Sequence, residues 1–89
     1  MITAVIIVKG MVQGVGFRYF CRKKTIELGI SGYAKNLYNG DVEIEAEGER
    51  NIIMDYVKEL KIGPVYAKVN AVIVTESEYK GIHKGFSII

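Results

Sequence analysis

One cysteine, one histidine, one proline and no tryptophan occur in the 89 residues. With Cys21 alone, no intrachain disulfide and no multi-cysteine metal centre can form. With His83 alone, a zinc site would lack most of its ligands, so no metal and no cofactor are expected. The longest apolar run, Ala4 to Val8, falls far short of the roughly 20 residues that cross a bilayer. Met1-Ile2-Thr3 leads straight into that run, without the basic flank and small-residue cleavage site of a secretory leader. These absences point to the cytoplasm and to no membrane contact. Length sets a further limit. A chain of 89 residues suits one domain, 1–89, burying roughly 60–65% of the surface that the unfolded chain exposes. A deep pocket is not expected there, so a site should lie in a surface loop or a shallow cleft. A monomer is expected.

Charge is present but unevenly spread. Residues 1–35 hold six basic residues, Lys9, Arg18, Arg22, Lys23, Lys24 and Lys35, against the single acid Glu27. Residues 36–89 hold six basic and nine acidic residues, so a net +2 divides into +5 and −3. Such asymmetry is compatible with plain solvated surface and with a local positive field that draws a small anion.

The periodicities alternate between strand and helix. Thr3 to Lys9 is apolar and β-branched, a buried strand. Gly10 to Gly16 carries three glycines and reads as a loop. Phe17 to Leu28 is helix-compatible and is closed by Gly29. Gly32 to Leu37 is a second strand, and Tyr38-Asn39-Gly40-Asp41 contains the strong Asn-Gly hairpin signal. In Asp41 to Glu47, Val42, Ile44 and Ala46 share one face while Asp41, Glu43, Glu45 and Glu47 share the other. That pattern predicts a half-buried strand with a wet acidic side. Ile53, Tyr56, Val57 and Leu60 stand at i, i+3, i+4 and i+7 and predict a second helix, stopped by Gly63-Pro64. Lys68 to Thr75 is a fourth strand, and Phe86 to Ile89 a short fifth. The order β-α-β-β-α-β predicts an α+β ferredoxin-like sandwich: an antiparallel sheet with both helices on one face and the other face solvated.

One loop carries chemistry. Gly10-Met11-Val12-Gln13-Gly14-Val15-Gly16-Phe17-Arg18 joins a buried strand to a helix start. A helix N-terminus presents unpaired N–H groups and a positive dipole end. Glycines let the preceding backbone curl so that several N–H groups converge on an anion. Arg18 adds a planar fork of donors that matches phosphate oxygens. The loop therefore reads as a phosphate cradle. It is not a Walker loop, which needs Gly and Lys where Val15 and Gly16 stand. A dinucleotide fingerprint would need a small residue at Tyr19.

The same stretch resembles the acylphosphatase signature G-x-V-Q-G-V-x-F-R at all seven fixed positions, a match expected by chance in about one of 10⁸–10⁹ windows. The family's second signature is matched in spacing by Gly32-Tyr33-Ala34-Lys35-Asn36, Gly40, Val42 and Gly48. Tyr33 stands where the family often has Trp, Ala34 where it often has Val, and His83 where many members have Tyr. The resemblance covers essentially the whole chain. It implies hydrolysis of small acyl phosphates to carboxylate and inorganic phosphate, without a metal or covalent intermediate. It implies that Arg18 binds the phosphoryl dianion together with the backbone N–H groups of Gln13, Gly14, Val15, Gly16 and Phe17. It further implies that Asn36 orients the attacking water, and it allows the C-terminal carboxylate of Ile89 to approach Arg18.

Other candidate residues read as structural. Cys21 fits a buried packing position, His83 a surface or strand-edge one, and the glutamate row a solvated face. Two other functions remain to be weighed. An RNA-binding module shares the element order, but it would carry stacking aromatics on the open sheet face, where strand three has acids. No nucleic-acid partner is therefore expected. A phosphate- or carbamoyl-phosphate-binding module resembles the chain too, since acylphosphatase-like domains open carbamoyl-transferring hydrogenase maturation proteins. A start at Met1 and an end just past the last strand favour a free-standing protein over that reading, and intact Arg18 and Asn36 speak against a silent interaction protein.

Overall fold

The computed structural model describes residues 1–89. Its elements are β1 (Ile2–Met11), α1 (Phe17–Leu28), β2 (Ser31–Asn36), β3 (Val42–Gly48), α2 (Arg50–Ile62), β4 (Lys68–Glu78) and β5 (Phe86–Ile88). Alternation builds the centre of the sheet. Ala4, Ile6 and Val8 of β1 lie opposite Ala46, Ile44 and Val42 of β3 in an antiparallel ladder, and all six are fully buried. The helices close over this face. Phe17 and Cys21 of α1 and Ile53, Tyr56, Val57 and Leu60 of α2 join the same core cluster. The hydroxyl of Tyr56 donates to the carbonyl of Cys21 at 3.1 Å, which ties the helices together inside that core.

The sheet order is β4-β1-β3-β2-β5. The four long strands pair antiparallel, as the element order requires, and β5 adds to the outer edge of β2 in parallel. β1 and β4 run two and three residues beyond their expected ends. The extension of β1 includes a register shift at Lys9/Gly10. Gly10 has φ 132°, and a Cβ there would meet the carbonyl oxygen of Lys68 at 2.1 Å. Only glycine lets the two strands stay paired to the edge of the loop. No helix is long and apolar enough to cross a membrane.

The open face departs from the wet acidic surface expected of β3. Glu45 and Glu47 are buried, Glu47 to 1% exposure. Residues 79–85, which join β4 to β5, lie across them. The Glu47 carboxylate accepts the main-chain N–H of Gly81 at 2.9 Å and of His83 at 3.1 Å, and the hydroxyl of Thr3 at 2.9 Å. Burial alone would raise the Glu47 pKa, but these donors outweigh it and hold the carboxyl below its ordinary value. His83, expected at the surface or a strand edge, is half-buried on this face. Its Nε2 lies 2.6 Å from Oε2 of Glu45, whose other oxygen accepts from Lys80 at 3.3 Å. The hydrogen bond with His83, opposed by burial and helped by Lys80, lowers the pKa of Glu45. Beside this pair, Tyr33 donates to Glu43 at 3.3 Å, and burial together with Glu43 and Glu45 pushes its phenol up to about 12.

Because the folded value of Glu47 lies below the ordinary carboxylate value of about 4.3, its stabilising effect is complete above that value and is lost as pH falls through the folded one. Glu47→Gln is expected to cost about 1–3 kcal/mol at pH 7, and the gap to the wild type should narrow below about pH 4. Urea unfolding at pH 7 and pH 3 checks this; a gap of constant size would contradict it.

Candidate active site

Between β1 and α1 the chain makes the tight turn Val12–Gly16, and two left-handed glycines shape it. Gly14 has φ 73° and Gly16 has φ 76°, with nothing within 4 Å of either missing Cβ. Gly16 is also the N-cap of α1, and a glycine cap offers no side-chain acceptor to the first turn. None of the main-chain N–H groups from Gln13 to Tyr19 donates a hydrogen bond within the chain. Such a run of unsatisfied donors is costly unless water or an anion meets it. The first turn of α1 carries no acidic residue, so the positive end of the helix dipole is left uncompensated there.

These donors edge a cleft of about 130 Å³ lined by Val12, Gly14, Gly16, Phe17, Arg18, Tyr19 and Asn36. Asn36 arrives from the end of β2, 18 positions beyond Arg18 in the chain. Its Oδ1 is buried and has no hydrogen-bond partner. Arg18 is steadied from a third segment: its Nη1 donates to the main-chain oxygen of Ile89 at 2.8 Å. Ile89 is held in turn by its own N–H, which donates to the carbonyl of Ala34 at 2.9 Å. One guanidinium donor is thereby engaged and the rest of the fork is left for a ligand.

The side chain of Gln13 has a role of its own, separate from the main-chain N–H expected at the site. It does not line the cleft. Its Nε2 donates to the carbonyls of Leu37 at 2.7 Å and Asp41 at 2.9 Å, strapping the loop to the hairpin that follows Asn36. That hairpin is itself braced: Asn39 accepts the Asp41 N–H at 3.0 Å, and Lys9 pairs with the Asp41 carboxylate at 2.7 Å. Val15 also lies outside the cleft lining, packed against the core. Gly14, Gly16, Phe17, Arg18 and Asn36 are brought together in the cleft. Tyr19 and Val12 line it as well, and sequence reasoning assigned neither to the site. For Tyr19 the available signal was its position directly after Arg18 in the first helical turn.

The lining contains no carboxylate, imidazole or thiol. Cys21 is fully buried in the core, and burial pushes its thiol up to about 12, which leaves it protonated and inert. His83 is engaged with Glu45 on the open sheet face. No three His, Cys, Asp or Glu side chains gather anywhere in the molecule in a way that would hold a metal ion. What the cleft offers is main-chain N–H groups, one guanidinium and one free amide, a set suited to a tetrahedral anion and a water.

A model of the acylphosphatase family matches residues 4–88. The chain belongs to the acylphosphatase family. The acylphosphatase of Thermus thermophilus is 50% identical over 84 residues, covering 94% of each chain. The crystal structure of acylphosphatase from Bacillus subtilis superposes with a TM-score of 0.96 at 43% identity, covering 100% of this chain and 99% of that one. Full-length HypF in its phosphate- and nucleotide-bound form contains a similar unit, with a TM-score of 0.87 and 33% identity. The match takes in all of this chain and 12% of that one.

In this acylphosphatase the strut from Gln13 should be separable from the ligand contacts. Gln13→Met keeps the bulk and removes both hydrogen bonds. It is expected to lower stability by about 1–2 kcal/mol and to reduce turnover of benzoyl phosphate at least about tenfold, because a misplacement near 1 Å is enough to cost that much. Unfolding curves and initial rates on the same preparation check both parts. Full activity in the variant would show that the hairpin holds Asn36 in place without Gln13.

Proposed function

We propose that this acylphosphatase cleaves the carboxyl-phosphate bond of small acyl phosphates by direct in-line attack of a water that Asn36 orients, on a phosphoryl group held by Arg18 and the main-chain N–H groups of Gln13 to Phe17. The observation that carries this reading is the meeting, in one shallow cleft, of unpaired N–H groups, Arg18 and the unpartnered Asn36 amide.

An acyl phosphate is a mixed anhydride whose leaving group is a carboxylate. Strong acid catalysis is therefore unnecessary, and the work lies in positioning and in stabilising charge spread over the phosphoryl oxygens. The N–H groups and the dipole of α1 take the equatorial oxygens. Arg18, anchored at Ile89, supplies a charge-assisted pair of donors. Asn36 holds the water through its free amide, which can present oxygen or nitrogen by a half-turn of the side chain. The new O–P bond forms as the acyl O–P bond breaks and the carboxylate departs with the bonding electrons. One water proton remains on the new phosphate oxygen, and the other passes to a neighbouring phosphate oxygen. Dianionic substrate and water thus give a carboxylate and dihydrogen phosphate, with charge and atoms conserved. The substrate's own phosphate serves as the base, so no titrating side chain is required.

Hydrolysis of benzoyl phosphate in the presence of EDTA tests the reading. Arg18→Ala should lose most phosphate binding and nearly all turnover; a variant with near wild-type rates would sink its assigned role. Asn36→Ala should lower kcat by about 10²–10³ with a smaller change in the inhibition constant of inorganic phosphate. If phosphate affinity fell most, the two roles would be misassigned. An amide does not titrate and a guanidinium stays charged across the working range. The profile of kcat/KM against pH should accordingly be broad and limited by substrate ionisation, and a sharp bell near pH 7 would call for a titrating partner.

A further inference from the structure

The reaction above uses only the first turn of α1, yet a second shallow cleft opens directly beside it. It spans about 270 Å³ and is lined by Tyr19, Arg22, Lys23 and Ile26. Tyr19 is the wall common to both clefts. The four residues stand at i, i+3, i+4 and i+7, so they form one stripe running away from the phosphate cradle. Helical side chains lean toward the N-terminus, which tilts Arg22 and Lys23 back toward Tyr19 and the cradle.

Two features of this stripe are unaccounted for by the fold. Tyr19 and Ile26 are 71% and 73% exposed, on a helix whose other large apolar side chains are buried or half-buried. Arg22 and Lys23 belong to none of the ion pairs of the molecule, whereas the adjacent Lys24 is engaged by Glu27 and Glu59 at 3.5 and 3.7 Å. An aromatic ring beside two unneutralised cations, continuous with a phosphate site, has the makings of an acyl-group subsite.

We propose that this stripe receives the acyl part of the substrate and favours acyl phosphates that carry a second negative charge, the acyl body lying on Tyr19 and the distal anion meeting Arg22 and Lys23. The proposal rests on the acyl phosphate reading of the neighbouring cleft. At 1.5 Å of rise per residue, the two cations lie about 7.5–9 Å along the axis from the helix start at Phe17. A rigid substrate with its second anion para to the acyl carbon spans a similar distance.

The test compares 4-carboxybenzoyl phosphate with its methyl ester, 4-(methoxycarbonyl)benzoyl phosphate, which matches it in shape but lacks the charge. At low ionic strength the wild type should prefer the carboxylate about 3- to 10-fold in kcat/KM, the scale of two exposed charge contacts. The preference should fall toward unity at 0.5 M salt, an ionic strength chosen for a Debye length of about 4 Å. The double variant Arg22→Gln/Lys23→Gln should lose the preference, with less than about a twofold change on the ester. A wild type that treats both substrates alike overturns the proposal. So does a double variant that loses equally on both. Failure of the wild type to hydrolyse either substrate would instead strike the acyl phosphate reading itself, and this proposal with it.

Discussion

A single side-chain amide holds the two halves of the cleft in register. The cradle belongs to the turn between β1 and α1, and Asn36 belongs to the far end of β2. Gln13 spans that gap with two donors to the carbonyls of Leu37 and Asp41. An aliphatic side chain could fill the same space, but the primary amide supplies two N–H groups from one uncharged nitrogen to acceptors on either side of a hairpin. Every feature with chemical potential lies on one side or the other of this joint: the unpaired N–H groups and Arg18 before it, the free oxygen of Asn36 after it. A third segment enters through Ile89, whose main-chain oxygen fixes one arm of Arg18. The site is thus a junction of loop, hairpin and the residue that follows β5. Most of its contacts are made by main chain, and side-chain identity matters at few positions.

The open face of the sheet serves this junction indirectly. β5 is three residues long, too short to hold itself by its ladder alone. Its approach is fixed by residues 79–85, which are pinned through Glu45 and Glu47. A carboxylate with 1% exposure would be destabilising without partners. Here the Thr3 hydroxyl and two main-chain N–H groups satisfy it. The acids therefore act as anchors for the segment that delivers β5 and, through it, Ile89.

Much of this was legible in residue order, and the gaps have physical reasons. The continuous apolar run of Ala4 to Val8, the period-two alternation of Val42 to Ala46 and the i, i+3, i+4, i+7 spacing of Ile53 to Leu60 report burial directly, so the elements and the layers could be read. The glycine spacing around Arg18 was equally legible, because a backbone with positive φ near a helix start leaves a compositional trace. The burial of Glu45 and Glu47 was not, since alternating acids look the same under water and under a covering segment. That cover is made by the N–H groups of Gly81 and His83, which every residue but proline possesses, so no pattern announces it. The strut from the Gln13 side chain was not legible either, because a motif position expected to act through its main chain does not show what its side chain holds. The contact between Arg18 and Ile89 joins residues 71 positions apart and depends on a short parallel edge strand, a pairing with little local signature.

The burial of Cys21 has a practical consequence. Its thiol sits in the core with no exposed surface and is held protonated, so alkylating reagents and mild oxidants have nothing to attack while the helices stay packed on the sheet. Reaction becomes possible only when α1 lifts from the core. The molecule therefore carries its own clock for opening: labelling of this one sulfur under native conditions counts excursions out of the folded state. No engineered probe is needed to time them.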